Sequence, residues 1–331
     1  MNKNFYLLIA LAGMLAAGCQ HKKKDDNVIS QRFIHKYGYS ITEEEWSTGR
    51  YPGTVTTIMR NGVTVVANYD GGVLHGPSTH TYPHNPTIEA AYTYENGKLM
   101  KETLYDVKGI PLSETIQLSP TRYLQTIWFA DGSPQSIEEF VGEELLEGQY
   151  FSVNNETEAR VEKGTGLRLC RDREGILISK DEVEKGYMTK RETFYPSGNP
   201  ESIAYYQQNR LHGEQFTFNA NGEPLSIAEW VNGELHGKCT FYKNGEKHLE
   251  LSYLNDQKNG FEIHFKEGKI AQKTLWENNK RHGETVYYLP DNENHTEYYY
   301  DGQKVSYEKY KELNHVDEMV SEISPDIQIY Q

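Results

Sequence analysis

The sequence predicts an all-β chain, an elongated antiparallel β-meander of about eleven hairpin repeats. Three observations predict it. First, an anchor position recurs at Gly53, Gly76, Lys101, Leu124, Gly148, Gly166, Lys190, Gly213, Gly237, Gly260 and Gly283, in steps of 23, 25, 23, 24, 18, 24, 23, 24, 23 and 23 residues. So steady a beat over most of a chain is the signature of stacked units that pack on their neighbours. Second, apolar residues stand five places after most anchors (Ile58, Phe129, Tyr195, Phe218, Tyr242, Phe265, Tyr288) and again two places earlier (Leu104, Ile127, Leu169, Phe216, Ile263, Val286). That alternation is the period of a strand with one better buried face. Third, residue types that tolerate positive φ sit at two fixed places per unit. One place holds Asn61-Gly62, Asp131-Gly132, Asn221-Gly222 and Asn244-Gly245; the other holds Gly72, Gly97, Gly186, Asn209, Gly233, Asp256, Asn279 and Gly302. Tight hairpin turns need such residues.

Residues 1–18 read as a lipoprotein signal peptide: a short basic start, an apolar run from Phe5 to about Leu15, then small residues, too short for a permanent span. The segment Leu15-Ala16-Ala17-Gly18-Cys19 resembles the lipobox of bacterial lipoproteins, with the Leu one place early. That resemblance implies cleavage before Cys19 and acylation there, a two-chain anchor strong enough to hold. Gln20 rather than Asp after the cysteine points to an outer membrane where one exists, facing the periplasm or the surface. Residues 19–29 are polar, without period, and read as a flexible tether. Residues 30–52 form an N-terminal cap, expected as a partial strand pair over the first sheet edge.

The repeat domain covers 53–303. Each unit's second strand ends in a large side chain: Tyr69, Tyr92, Phe140, Tyr206, Trp230, Tyr253, Trp276 or Tyr299. The short step at 148–166, with Asn154-Asn155, predicts a bulge, kink or change of curvature. In the cap and tail 304–331, Ser306 can open a helix to about Ile323, although register also allows a last strand.

The formal charge is −14; without residues 1–18, 33 basic residues face 48 acidic ones. That balance excludes nucleic acid and direct docking on anionic lipid. Hydrophobic content is 37%, and the 25 tyrosines suit an open sheet, where a ring is buried and its hydroxyl stays wet.

The pattern of Gly213 with Phe218, Asn221-Gly222 and Trp230 resembles the bacterial variant of the MORN repeat, as do Gly237 with Tyr242, Asn244-Gly245 and Tyr253, and Gly283 with Tyr288 and Tyr299. The match is strong in 186–303 and degenerate in 53–166, where Asp106 and Arg171 occupy the aromatic column. The resemblance implies antiparallel hairpins and interaction with protein or membrane, and brings no catalytic residues. Proteins labelled YwqK-like antitoxins share the repeat, but a secretory signal fits that role poorly.

His75, His212, His236 and His282 each precede an anchor, two strands apart at about 9.6 Å, too far to share a metal. His75, His80 and His84 lie closer in sequence, straddle one strand and make a weak metal candidate. Cys170 and Cys239 lie about six strand spacings apart, which predicts two free, half-buried thiols. We find no nucleophile elbow, phosphate loop, HExxH or paired CxxC, and expect no catalytic residue, metal or cofactor. The expected function is a lipid-anchored, non-enzymatic scaffold for a protein partner in the envelope. Tyr105, Trp128, Phe194, Phe241 and Tyr287, assigned to the less buried face, are the candidate contacts. Glycan or peptidoglycan binding through such rings is the alternative, and an antitoxin-like binding role a further one.

Overall fold

A computed structural model describes residues 27–290 and 293–323. The signal peptide, Cys19 and most of the tether lie outside the described residues. The chain divides into two compact units, up to Ile110 and from Pro111.

The first unit holds β1 (Val28–His35), β2 (Ser40–Ile41), α1 (Glu43–Gly49), β3 (Gly53–Met59), β4 (Thr64–Asp70), β5 (Val73–Thr81), β6 (Ile88–Glu95) and β7 (Lys98–Tyr105). Strand β1 pairs with both β2 and β3, and β3 to β7 follow as an antiparallel meander. Strand β1 thus begins inside the segment read as tether. The cap is also not a strand pair alone, because Glu43–Gly49 is helical, with Thr42 as its N-cap. The reason is a capping box: the Glu45 N–H donates to Thr42 Oγ1 (3.2 Å) and the Thr42 N–H to Glu45 Oε2 (3.0 Å). The helix carries Trp46 onto the sheet, 5.6 Å from the Phe33 ring and 5.8 Å from Tyr69.

The second unit runs through β8 (Pro111–Gln117), β9 (Arg122–Trp128), β10 (Pro134–Val141), β11 (Glu144–Phe151), β12 (Thr157–Glu162), β13 (Thr165–Arg171), β14 (Leu177–Glu184), β15 (Tyr187–Phe194), β16 (Pro200–Gln207), β17 (Arg210–Phe218), β18 (Pro224–Val231), β19 (Glu234–Lys243), β20 (Glu246–Leu254), β21 (Gln257–Lys258), β22 (Gly260–Lys266), β23 (Lys269–Glu277), β24 (Lys280–Tyr288), β25 (Asn294–Tyr300), β26 (Gln303–Val305) and α2 (Tyr307–Ile323). All pairings are antiparallel between sequence neighbours, apart from β20, which pairs with both β21 and β22. Each unit is an antiparallel meander, and the second ends in the C-terminal helix, as the beat predicts. Ser306 Oγ accepts from the Lys309 N–H (3.2 Å), so the helix is the outcome after Val305.

Two chemistries make the turns. On one edge, pairs such as Asn232-Gly233, Asn255-Asp256 and Asn278-Asn279 have positive φ at both residues (54° and 93°, 49° and 63°, 48° and 65°), the mirror-image turn that matches strand twist. These turns are tied into a ladder. The N–H of Gly233, Asp256, Asn279 and Gly302 donates to the carbonyl of Leu211, Leu235, Lys258 and Arg281, one unit earlier, at 2.8 to 3.0 Å. Where the second turn residue is Asp or Asn, its side chain adds a bond: Asp256 Oδ1 accepts from the Leu235 N–H (2.7 Å) and Asn279 Oδ1 from the Lys258 N–H (2.8 Å). On the other edge, side chains such as Asn219 and Asp172 accept from backbone N–H groups two and four residues on. Tyr82 and Tyr195 there donate to the carbonyls of Tyr105 (2.6 Å) and Phe218 (2.8 Å), again one unit away.

The anchor glycines gain a physical reason. Gly53, Gly76, Gly213, Gly237, Gly260 and Gly283 stand directly opposite Tyr69, Tyr94, Trp230, Tyr253, Trp276 and Tyr299 on the paired strand. A residue without a side chain leaves room for a ring across the pair, a known device for rescuing glycine in sheets. In the first unit the partner of Gly76 is Tyr94, not Tyr92 as the column predicts.

Candidate functional site

One face of the second unit carries a central row in continuous register: Arg168, Asp181, Arg191, Ala204, Gln215, Ala228, Cys239 and Leu251. Glu262, Thr274, Thr285 and Glu297 extend it through β22 to β25. Its small members are buried: Ala204 is 2% exposed, Thr274 1% and Thr285 0%. Larger side chains from the flanking rows close over them, as Trp230, Leu235, Leu249 and Tyr253 pack on Ala228, Cys239 and Leu251. The first unit repeats the device with Phe33, Val55, Ala67 and Ser78.

The row's charged end lies where the beat shortens. Around β12 the sheet curls: the Ala130 N–H reaches the Arg173 carbonyl (2.9 Å), and the Leu145 N–H reaches that of Gly186 (2.9 Å). Tyr150, Leu145, Ala159, Val161 and Val183 form a buried core there, with bulges after Glu139 and after Tyr150. The curl brings Glu138 against Arg168, thirty residues away in sequence, with Arg168 Nε and Nη2 donating to its two oxygens at 2.6 and 3.0 Å. Arg191 makes the same fork to Asp181 at 2.8 and 2.7 Å, and Arg168 Nη1 lies 3.8 Å from Asp181. Tyr150 OH donates to Glu138 at 2.8 Å. Asp181 is fully buried and Glu138 nearly so. Burial pushes the Tyr150 phenol above its ordinary range, and the neighbouring Glu138 adds to it. The Asp181 hydrogen bond raises Arg191. Burial opposes the charge of Arg168, but its bonds to Glu138 prevail and raise it. Two cations and two anions, each paired, make this a neutral brace across five strands.

The five aromatic candidates do not share one column. Phe241 is 37% exposed, while Tyr105, Trp128, Phe194 and Tyr287 are half-buried. Phe241 and Tyr287 stand on the face of the central row, two places from Cys239 and Thr285; Tyr287 lies beside His295 with ring centres 5.9 Å apart. Phe194 and Trp128 sit at strand ends opposite Pro200 and Pro134.

Cys170 is half-buried as expected, whereas Cys239 is buried in the central row, and burial pushes both thiols up. Among the described residues no three metal-binding side chains converge. His80 lies against Tyr92 (5.1 Å) with its pKa lowered by burial, and His75 Nδ1 accepts from the Asn96 N–H (3.3 Å).

A second feature, present in each unit, was not foreseen. Five residues after each ring position, and opposite it across the turn, stands one side chain per hairpin. Leu74, Leu99, Leu145, Met188, Leu211 and Leu235 fill it opposite Tyr69, Tyr94, Phe140, Val183, Tyr206 and Trp230. In the last three hairpins it becomes Lys258, Arg281 and Lys304, opposite Tyr253, Trp276 and Tyr299. The signal was present in the sequence at a fixed offset from the rings.

Repeated hairpins, stacked turns and a ring column define a β-meander repeat protein. Within it, residues 190–208 and 211–232 match the family described as the MORN repeat variant, the stretch where the pattern is cleanest. No curated protein matches the chain.

Proposed function

We propose that the chain is a non-enzymatic scaffold that presents its repeats to a protein partner in a bacterial envelope, held there by acylated Cys19. The observation that supports a scaffold is one edge of the second unit. Val153, Ile176, Leu225, Ile270 and Leu289 lie at five of its hairpin turns and are 42 to 49% exposed. Aliphatic side chains repeated along one border of a repeat protein favour a partner surface over solvent. The anchor rests on the Leu15–Cys19 sequence, which resembles a lipobox.

Crosslinking in intact envelopes, with photoreactive groups at Leu225 and Ile270, tests the scaffold. A discrete protein adduct from both positions is expected, and no adduct at either overturns it. Mass spectrometry of the mature N-terminus tests the anchor: an unmodified cysteine removes it.

A further inference from the structure

We infer that the face of β20 to β26 binds an acidic protein segment in the polyproline II conformation. This rests on the scaffold reading and names the chemistry of its partner.

The first observation is the switch of the column from aliphatic to basic. Lys258, Arg281 and Lys304 are consecutive members, in a chain whose formal charge is −14. Cations grouped this way in an acidic chain are a local attraction for anions. The second is the state of Arg281. Its guanidinium carbon lies 5.7 Å from the Trp276 ring and 5.2 Å from the Tyr299 ring, and Nη1 donates to Tyr299 OH (3.3 Å). Among the described residues it has no carboxylate partner, so its fork is held in place but not neutralised. Such a fork suits a carboxylate. The flanking lysines are bonded to Glu262 (2.9 Å) and Glu297 (2.6 Å), yet each ammonium has further donors. Three cations against those two carboxylates leave one positive charge, centred on Arg281.

The third observation is access. Tyr298 and Tyr299 point to opposite faces, and α2 packs on Tyr298 through Tyr307 (5.0 Å) and Tyr310 (5.4 Å). The helix therefore covers the other face. The Lys304 side chain is 60% exposed and that of Lys258 30%.

Spacing selects the conformation. Successive column members are two strands apart, about 9.5 Å. A polyproline II segment turns once in three residues and rises about 9.3 Å per turn. An acid at every third residue then meets one cation per turn, and the intervening prolines meet the half-buried rings of Tyr253 and Trp276, beside which Tyr299 is buried. Aromatic-lined grooves favour such segments because little conformational entropy is lost on binding.

Fluorescence anisotropy with a labelled (Glu-Pro-Pro)5 peptide and the mature chain tests this. We expect saturable binding, at least tenfold weaker for (Gln-Pro-Pro)5 and for R281Q, and intermediate for R281K, which keeps the charge but loses the fork. Polygalacturonate and phosphatidylglycerol vesicles should not displace the peptide. Equal binding of the Gln peptide, an R281Q affinity equal to the parent, or binding of only the polysaccharide or the vesicles overturns the inference. If the peptide fails while crosslinking still yields a protein adduct, this inference falls and the scaffold reading stands.

Discussion

Replacing Asp181 by Ala should unfasten the curl at β12. Asp181 is fully buried and receives two bonds from Arg191 at 2.8 and 2.7 Å, with Arg168 3.8 Å away. Removing one partner of a buried pair leaves the other charge desolvated, at a cost of about 3 to 5 kcal/mol. The Arg191 side chain is 33% exposed and can turn toward water, so the low end applies, about 3 kcal/mol. Arg168 keeps its fork to Glu138, which confines the loss to β13–β15. A second change, Arg191→Met in the Asp181→Ala background, removes the stranded cation and should return stability to within about 1 kcal/mol of the parent. Repeat arrays need not unfold in one step, so urea unfolding should be read together with hydrogen exchange at β13–β15 amides. A single-variant loss under about 0.5 kcal/mol would refute the brace, as would a double variant no more stable than the single.

Four further outcomes follow from the same geometry. Gly260→Val forces a β-branched residue to φ +103° with its Cβ 3.0 Å from that of Ser252, and should cost about 2 kcal/mol in urea unfolding. Asn279→Leu loses both the turn conformation and the bond to the Lys258 N–H, and should cost about 1 to 2 kcal/mol, whereas Asn279→Gly keeps the turn and should cost less; exchange of the Lys258 amide should quicken in both, and urea unfolding separates them. Burial, with help from Glu102, pushes the Tyr92 phenol up to about 12, above its ordinary value of 10.0. Its neutral form is favoured by folding, so that stability is complete below pH 10 and lost as pH rises through 12. Tyr92→Phe should flatten the fall in first-unit stability over that window, as monitored by exchange at β5–β6. The Cys239 and Cys170 thiols, both pushed up, should react slowly with iodoacetamide in the native chain and readily in urea.

The beat was legible because its causes are local. A turn residue must tolerate positive φ wherever it falls, and a ring must face a glycine across a pair, so both leave marks at fixed spacing. The Thr42-to-Glu45 box is equally local. The brace was only half legible. Asp181 and Arg191 flank one turn and pair by simple counting, but Glu138 meets Arg168 only because the sheet curls, and curvature is a property of many strands at once. The five aromatics fall in different columns because bulges shift alternation from strand to strand; the one after His264 is an example. Alternation alone cannot assign a face once such a shift intervenes.

The ladder of turn-to-turn bonds also bears on how the chain would yield under load. Each hairpin is fastened chiefly to the one before it, so a pull on the C-terminus would peel units off singly, like a zip. Each event would release the contour of some 23 residues, about 80 Å. The resisting force should rise where the β12 curl is reached, since that hairpin is gripped from both sides.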